Sequence, residues 1–266
     1  MRLAAVIFSL FALATLTGAG QDLHPTIVVN PKSGLRTWES GAGQRPLLLL
    51  HGYGAAPQDW LPFTATIQLP AAGRFVFPEA PEGTQPPDGP LGGRAWWRLN
   101  LSSYWKPRSS VPDLSRAHPG GLVASAAQVR TLLRELETRL RCAPDQLTLG
   151  GFSQGAMVSA EIAFTTDEPL HALILLSPTF VDETAWTKAM PRRRGLPVFI
   201  AHGRRDEILP FASAERLAAS MQRAGLTVTW VPFDGIHEIP ASVVTELNRF
   251  LASIPATPQG ARPPAR

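Results

Sequence analysis

Leu147-Thr148-Leu149-Gly150-Gly151-Phe152-Ser153-Gln154-Gly155-Ala156-Met157-Val158-Ser159-Ala160 is the stretch on which the reading turns. A short apolar run of strand type leads into a glycine-flanked serine, and an apolar run of helical type leaves it. A chain that turns this sharply from strand to helix has no room for Cβ atoms two residues either side of the serine, and Gly151 and Gly155 stand there. Such a turn presents Ser153 as a candidate nucleophile. The alternative is a glycine-rich turn without chemistry.

Outward from this turn, apolar runs of strand length recur at Pro46 to Leu50, Phe75 to Phe77, Gln146 to Leu149, Leu173 to Leu176, Val198 to Ala201 and Thr227 to Val231. Helical patterns separate them, expected over Gly121 to Leu140, Gln154 to Phe164, Phe211 to Arg223 and Ala241 to Leu251. Strands alternating with helices predict an α/β domain with a mostly parallel sheet and helices on both faces. Thr26 to Asn30 and Arg36 to Ser40, separated by Pro31, Ser33 and Gly34, predict an antiparallel hairpin at the sheet edge. Glu79 to Pro119 is rich in Pro, Gly and Ser yet holds Trp96, Trp97, Tyr104 and Trp105, which predicts an ordered functional loop. The proline-rich tail over 255–266 is expected to be disordered.

A serine hydroxyl is a poor nucleophile until a base takes its proton, and imidazole is the usual base. His237, in Gly235-Ile236-His237-Glu238 between the last strand and the final helix, is the candidate. His51 and His202 each end a strand in a His-Gly pair and are read as structural or loop-orienting. Asp206, just past the strand at Val198 to Ala201, gives the chain order Ser, Asp, His and is the candidate acid that fixes the tautomer of the base. Glu207 and Asp182 are its rivals. Oxyanion donors are expected at the backbone N–H groups of Gln154, after the nucleophile, and Tyr53, in His51-Gly52-Tyr53-Gly54.

Composition narrows the classes. The chain of 266 residues has a formal charge of +4, but Arg2, Arg262 and Arg266 supply three of these charges at the termini, which leaves +1. Nucleic-acid binding is therefore not expected, and Arg192-Arg193-Arg194 is read as a solvated loop. The lone Cys142 is read as a packing residue. Met1-Arg2, an apolar run from Leu3 to Leu16 and then Thr17-Gly18-Ala19-Gly20 have the layout of a secretory signal over 1–19. The apolar run of about 14 residues is short of the roughly 20 needed to span a bilayer, so no stable membrane insertion is expected after cleavage. An uncleaved anchor is the alternative. One catalytic domain over 20–254 follows, in the periplasm or outside the cell.

Five blocks together resemble a known group: Leu49-Leu50-His51-Gly52-Tyr53-Gly54; Pro78-Glu79-Ala80-Pro81; Arg94-Ala95-Trp96-Trp97; Gly150 to Ala156; and His202-Gly203 with Asp206, followed by Gly235-Ile236-His237-Glu238. Over about residues 46–252 the sequence is similar to the phospholipase/carboxylesterase group of α/β hydrolases, which includes bacterial carboxylesterases and acyl-protein thioesterases. The resemblance implies the α/β-hydrolase fold and a hydrolase of carboxylic esters or thioesters that uses no metal or cofactor. It also implies Ser153, Asp206 and His237 as triad, Tyr53 and Gln154 as oxyanion donors, and Trp96 as a wall of the substrate pocket. Arg98 stands where an acidic residue commonly follows the aromatic pair, and Ser102 to Pro119 is longer than the usual connection and is read as a flap. The expectation is an exported serine carboxylesterase acting through an acyl-enzyme on small-molecule or lipid esters. Its alternatives are a lysophospholipase or thioesterase, a polyester or aryl-ester hydrolase, and a non-catalytic binding protein of the same fold.

Overall fold

The computed structural model describes residues 25–85, 91–99 and 113–255. The signal read over 1–19, all but the first residue of the tail, and Tyr104, Trp105, Lys106 and Arg108 of the flap lie outside the described residues.

The chain runs β1 (Thr26–Val29), β2 (Arg36–Ser40), β3 (Arg45–Leu50), a 3-10 helix (Pro57–Ala65), β4 (Gly73–Pro78), β5 (Glu82–Gly83), β6 (Arg94–Ala95) and α1 (Gly120–Leu140). It continues with β7 (Thr148–Phe152), α2 (Gln154–Thr165), β8 (Ala172–Leu176), α3 (Glu183–Ala189), β9 (Pro197–Gly203), α4 (Phe211–Arg223), β10 (Thr227–Phe233) and α5 (Ala241–Ser253). Eight strands form one sheet in the order β1-β2-β4-β3-β7-β8-β9-β10. The hairpin partners β1 and β2 are antiparallel at the edge, and every pair from β4 through β3 to β10 is parallel. The strand order reverses after β3, at the point where β7 joins it, and such a switch point opens a crevice at the carboxyl ends of the strands.

Strand periodicity divides the core into two layers. Leu48, Leu50, Leu173, Leu175, Val198 and Ile200 face α1, α2 and α4. Their neighbours Leu47, Leu49, Ile174, Leu176, Phe199 and Ala201 face α5 and the 3-10 helix. Strands covered on both faces read as unbroken apolar runs, as these do. The stripe of α1 is buried as its spacing predicts, at Leu122, Val129, Leu132, Leu133, Leu136 and Leu140. Cys142 is buried, and burial pushes its thiol pKa up.

Within the fold, the structure departs from the sequence reading at β7, at two helices and at Arg192-Arg193. β7 spans Thr148–Phe152, beyond the Leu149 end expected, because Gly150 and Gly151 remain in the ladder beside β3 and β8. α3 and the 3-10 helix were not anticipated: α3 has seven residues with Trp186 alone buried, too short for a periodic pattern, and the 3-10 helix carries Pro57 and Pro62. Arg192 and Arg193 are not merely solvated. Their guanidinium groups donate to the carbonyls of Phe164, Ala163 and Thr166, capping the C-terminal end of α2.

Candidate active site

Ser153 occupies the turn between β7 and α2 with φ 54° and ψ −116°, a conformation that L-residues rarely adopt. The surroundings hold it there. Its N–H donates to the carbonyl of Leu176 at 2.8 Å, and its own carbonyl accepts from Met157. A Cβ on Gly155 would stand 2.3 Å from the Leu50 carbonyl oxygen, and one on Gly151 would stand 2.7 Å from the Gly155 oxygen. The flanking glycines are therefore required by backbone packed against backbone. The resulting serine is partly exposed at the carboxyl end of the sheet.

The ring of His237 packs on Phe152 with centroids 4.7 Å apart, beside the serine. Its Nδ1 lies 2.6 Å from Oδ2 of Asp206. The loop carrying His237 sits directly on β9, since a Cβ on Gly203 would stand 2.2 Å from the Ile236 carbonyl oxygen. Asp206 is fixed within its own turn: Oδ1 accepts N–H donation from Ile208 and Leu209, each at 2.8 Å. Burial opposes ionisation of this carboxyl, but hydrogen bonds from His202 and His237 outweigh it and hold the pKa well below the usual carboxylate range.

The rival acids are placed elsewhere. Asp182 caps α3 by accepting from Ala185 and pairs with His118 Nδ1 at 2.8 Å, and Glu207 is exposed. The structure thus brings Asp206, not Asp182 or Glu207, to His237.

Gln154 opens α2, and the first N–H groups of a helix have no acceptor within it, so its N–H is available to a developing oxyanion. The second expected donor, Tyr53, follows Gly52, whose Cα position is so close that a Cβ would lie 3.5 Å from Cβ of Ser153.

The sequence model of the phospholipase/carboxylesterase family matches residues 39–254. The chain belongs to this family of α/β hydrolases. Acyl-protein thioesterase 1 of Schizosaccharomyces pombe is 24% identical over 239 residues, covering 88% of this chain and 97% of that protein. Among solved structures, esterase PE8 superposes with a TM-score of 0.66 at 23% identity, covering 86% of this chain and 98% of the other. A carboxylesterase from Mesorhizobium loti has a TM-score of 0.66 at 18% identity, covering 86% and 99%. The chain is a serine hydrolase of the carboxylic-ester class.

In this phospholipase/carboxylesterase fold the loop opposite Ser153 is held by a buried polar network. The expectation that Trp96 walls the substrate pocket is corrected: the residue is 2% exposed and presents almost no surface to a ligand. Its indole N–H instead donates to the His51 carbonyl at 2.9 Å, and its backbone carbonyl accepts from the Ser125 hydroxyl. The side chain of Gln154 completes the clamp, with Oε1 accepting from Trp96 N–H and Nε2 donating to the Trp97 carbonyl, both at 2.8 Å.

His51 is read in one tautomer. Nε2 accepts the N–H of Ala80 at 3.2 Å, so Nδ1 carries the proton and donates to the Gly52 carbonyl at 2.8 Å. Burial lowers its pKa to about 4, with Arg94 adding to the effect and the Gly52 carbonyl opposing it.

Sequence reasoning missed two parts of this network. Arg94 pairs its backbone with Gly54 and Ala55, while its guanidinium reaches the Ala80 carbonyl at 2.8 Å and Glu79 at 3.3 Å. The amide side chain of Gln154 was the other. The Arg94-Ala95-Trp96-Trp97 block and the Gly150 to Ala156 block contained these residues without revealing their side-chain roles. Arg98, the charge-reversed position, pairs with Glu82 at the surface.

Proposed function

We propose that this serine hydrolase is an exported carboxylesterase that works through an acyl-enzyme on Ser153. The observation that carries the reading is the 2.6 Å contact of His237 Nδ1 with a buried, hydrogen-bonded Asp206, on a ring packed against the residue before Ser153. With Nδ1–H given to Asp206, the Nε2 lone pair of His237 serves as the base. It takes the Ser153 hydroxyl proton as Oγ bonds to the ester carbonyl carbon. Charge develops on the carbonyl oxygen, where the N–H groups of Gln154 and Tyr53 stabilise it. The tetrahedral species collapses as the imidazolium gives its proton to the departing alkoxide, which leaves an acyl group on Ser153. Water then repeats the steps, with His237 again as base, and releases the acid.

Export rests on the pattern at Met1 to Gly20, where a basic residue, an apolar run and small residues follow in turn. Thioester hydrolysis is the second reading, because relatives at 24% and 27% identity carry the name acyl-protein thioesterase 1.

The test is turnover of a p-nitrophenyl ester series from acetate to palmitate, alongside acyl thioesters of the same lengths, by wild type and Ser153→Ala. A preference for short esters that is abolished in Ser153→Ala supports the carboxylesterase. A preference for long acyl thioesters moves the assignment to the second reading. No turnover of either series overturns both. Release of a chain shortened by about 19 residues into the periplasm or medium, read by mass spectrometry of the expressed protein, tests the export.

A further inference from the structure

Asp206 is shared by two imidazoles. Its Oδ2 lies 2.6 Å from Nδ1 of His237 and also 3.2 Å from Nε2 of His202, the residue before the last position of β9. His202 is fully buried, and its Nε2 is 3.1 Å from the carbonyl oxygen of Leu209. Both neighbours of Nε2 are acceptors, so that nitrogen carries the ring's one proton; its hydrogen bond goes to the Leu209 carbonyl, and Asp206 Oδ2 lies beside the same N–H. The other ring nitrogen, Nδ1, is buried without a hydrogen-bond partner. An orphaned buried nitrogen costs free energy that an apolar residue of similar size would avoid, so the polar function of this ring lies at Nε2.

We infer that His202 is a positioning residue of the catalytic unit: its Nε2–H aligns the Asp206 carboxylate and withdraws charge from the oxygen that His237 uses. This rests on the triad reading above. Oδ1 is already committed to the Ile208 and Leu209 amides, so His202 and His237 divide the lone pairs of Oδ2 between them. Without His202 the carboxylate is freer to rotate, and Oδ2 becomes more basic toward His237. The His237 imidazolium is then better stabilised, and its proton is lost at higher pH.

Few other groups compete for this position. β10 presents Pro232 at the level of His202, and the end of β8 presents Ser177. From α4 comes the ring of Phe211 at 6.1 Å, with the Arg204 guanidinium over it at 5.1 Å. The groups that act electrostatically on Asp206 are His202 and His237, and Arg204 lies over the Phe211 ring.

The experiment compares His202→Gln, whose amide nitrogen reaches the place of Nε2, with His202→Met, which keeps volume and loses the donor. For His202→Met, kcat is expected to fall about 10- to 100-fold with little change in KM. The acid limb of its kcat/KM profile is expected to move up by about one pH unit. His202→Gln is expected to retain most of kcat and the wild-type acid limb. Equal behaviour of the two variants, or unchanged profiles in both, overturns the proposal.

In the wild type, 15N NMR of the neutral imidazoles is expected to show a proton on Nε2 and none on Nδ1 of His202. A proton on Nδ1 alone overturns the proposal whether or not either variant folds. Ser153 labelling by a fluorophosphonate separates the failures: a labelled wild type with indifferent variants removes only the role of His202, and an unlabelled wild type removes the triad itself.

Discussion

At Gly155 a single methyl group decides whether the site exists. Its Cβ would meet the Leu50 carbonyl oxygen at 2.3 Å and that of His51 at 2.7 Å, and neither backbone can move without shifting β3 or the loop that follows it. Gly155→Ala is expected to cost about 1–3 kcal/mol of stability through overpacking. A displacement of about 1 Å at Ser153 is also expected to lower kcat by roughly 100-fold. Urea unfolding and ester turnover of the purified variant check the two values. This residue was legible because a close backbone approach leaves only glycine as a choice. The acid was less legible: the chain order Ser, Asp, His favoured Asp206, but its rivals Glu207 and Asp182 also follow a strand and can accept a hydrogen bond. The choice was made by the turn at Ile208 and Leu209, whose amides aim the Asp206 carboxylate, and by the capping duty that occupies Asp182. Trp96 was misread because an aromatic residue beside a site has the same spelling whether it touches substrate or supports the loop behind it.

Among the elements, α1 was read almost to the residue because its apolar positions repeat at helical spacing over many turns. Leu136 lies in the middle of that stripe and is fully buried. Leu136→Ala is expected to destabilise the fold by about 2–5 kcal/mol through lost burial and a residual cavity. Thermal unfolding with a wild-type-like activity per folded molecule is the expected pairing, since α1 supplies no candidate catalytic side chain. β7 was cut short in the sequence reading because Gly150 and Gly151 are poor strand formers by propensity. Tight pairing with β3 and β8 overrides propensity there: a Cβ on Gly150 would lie 2.7 Å from the Ile174 carbonyl oxygen. α3 escaped detection for the opposite reason, as seven residues with one buried side chain carry no period to read.

At the scale of the molecule, the same groups that order the site make its stability depend on pH. His51 titrates near 6.5 when unfolded and at about 4 in the fold. The unfolded chain therefore takes up a proton first as pH falls. Stability is at its full value above about pH 6.5 and drops by roughly 3 kcal/mol by pH 4 from this residue alone. Asp206 acts in the same direction at lower pH, because its folded pKa lies below the unfolded one and its contribution is lost as acid protonates it. Glu135, which receives the N–H groups of Lys32 and Ser33 and ties the β1–β2 hairpin to α1, also has a lowered pKa despite the opposing effect of burial. Chemical denaturation from pH 8 to pH 4 is expected to show a continuous loss of stability on the acid side. In His51→Asn the slope between pH 6.5 and 4 is expected to be reduced. The layer architecture was legible as a whole, because unbroken apolar strands alternating with amphipathic helices leave few other arrangements. The polar network around His51, Arg94 and Gln154 was not, since it joins residues far apart in sequence through backbone atoms.

The proposed chemistry requires His237, held on Asp206, to activate Ser153. A fluorophosphonate probe tests it most directly, with the adduct located by peptide mass spectrometry in wild type, His237→Ala and Asp206→Asn. The expected result is a single adduct on Ser153 in the wild type, formed at least about 100-fold faster than in His237→Ala and with an intermediate deficit in Asp206→Asn. Labelling at another residue, or equal rates in wild type and His237→Ala, would contradict the account.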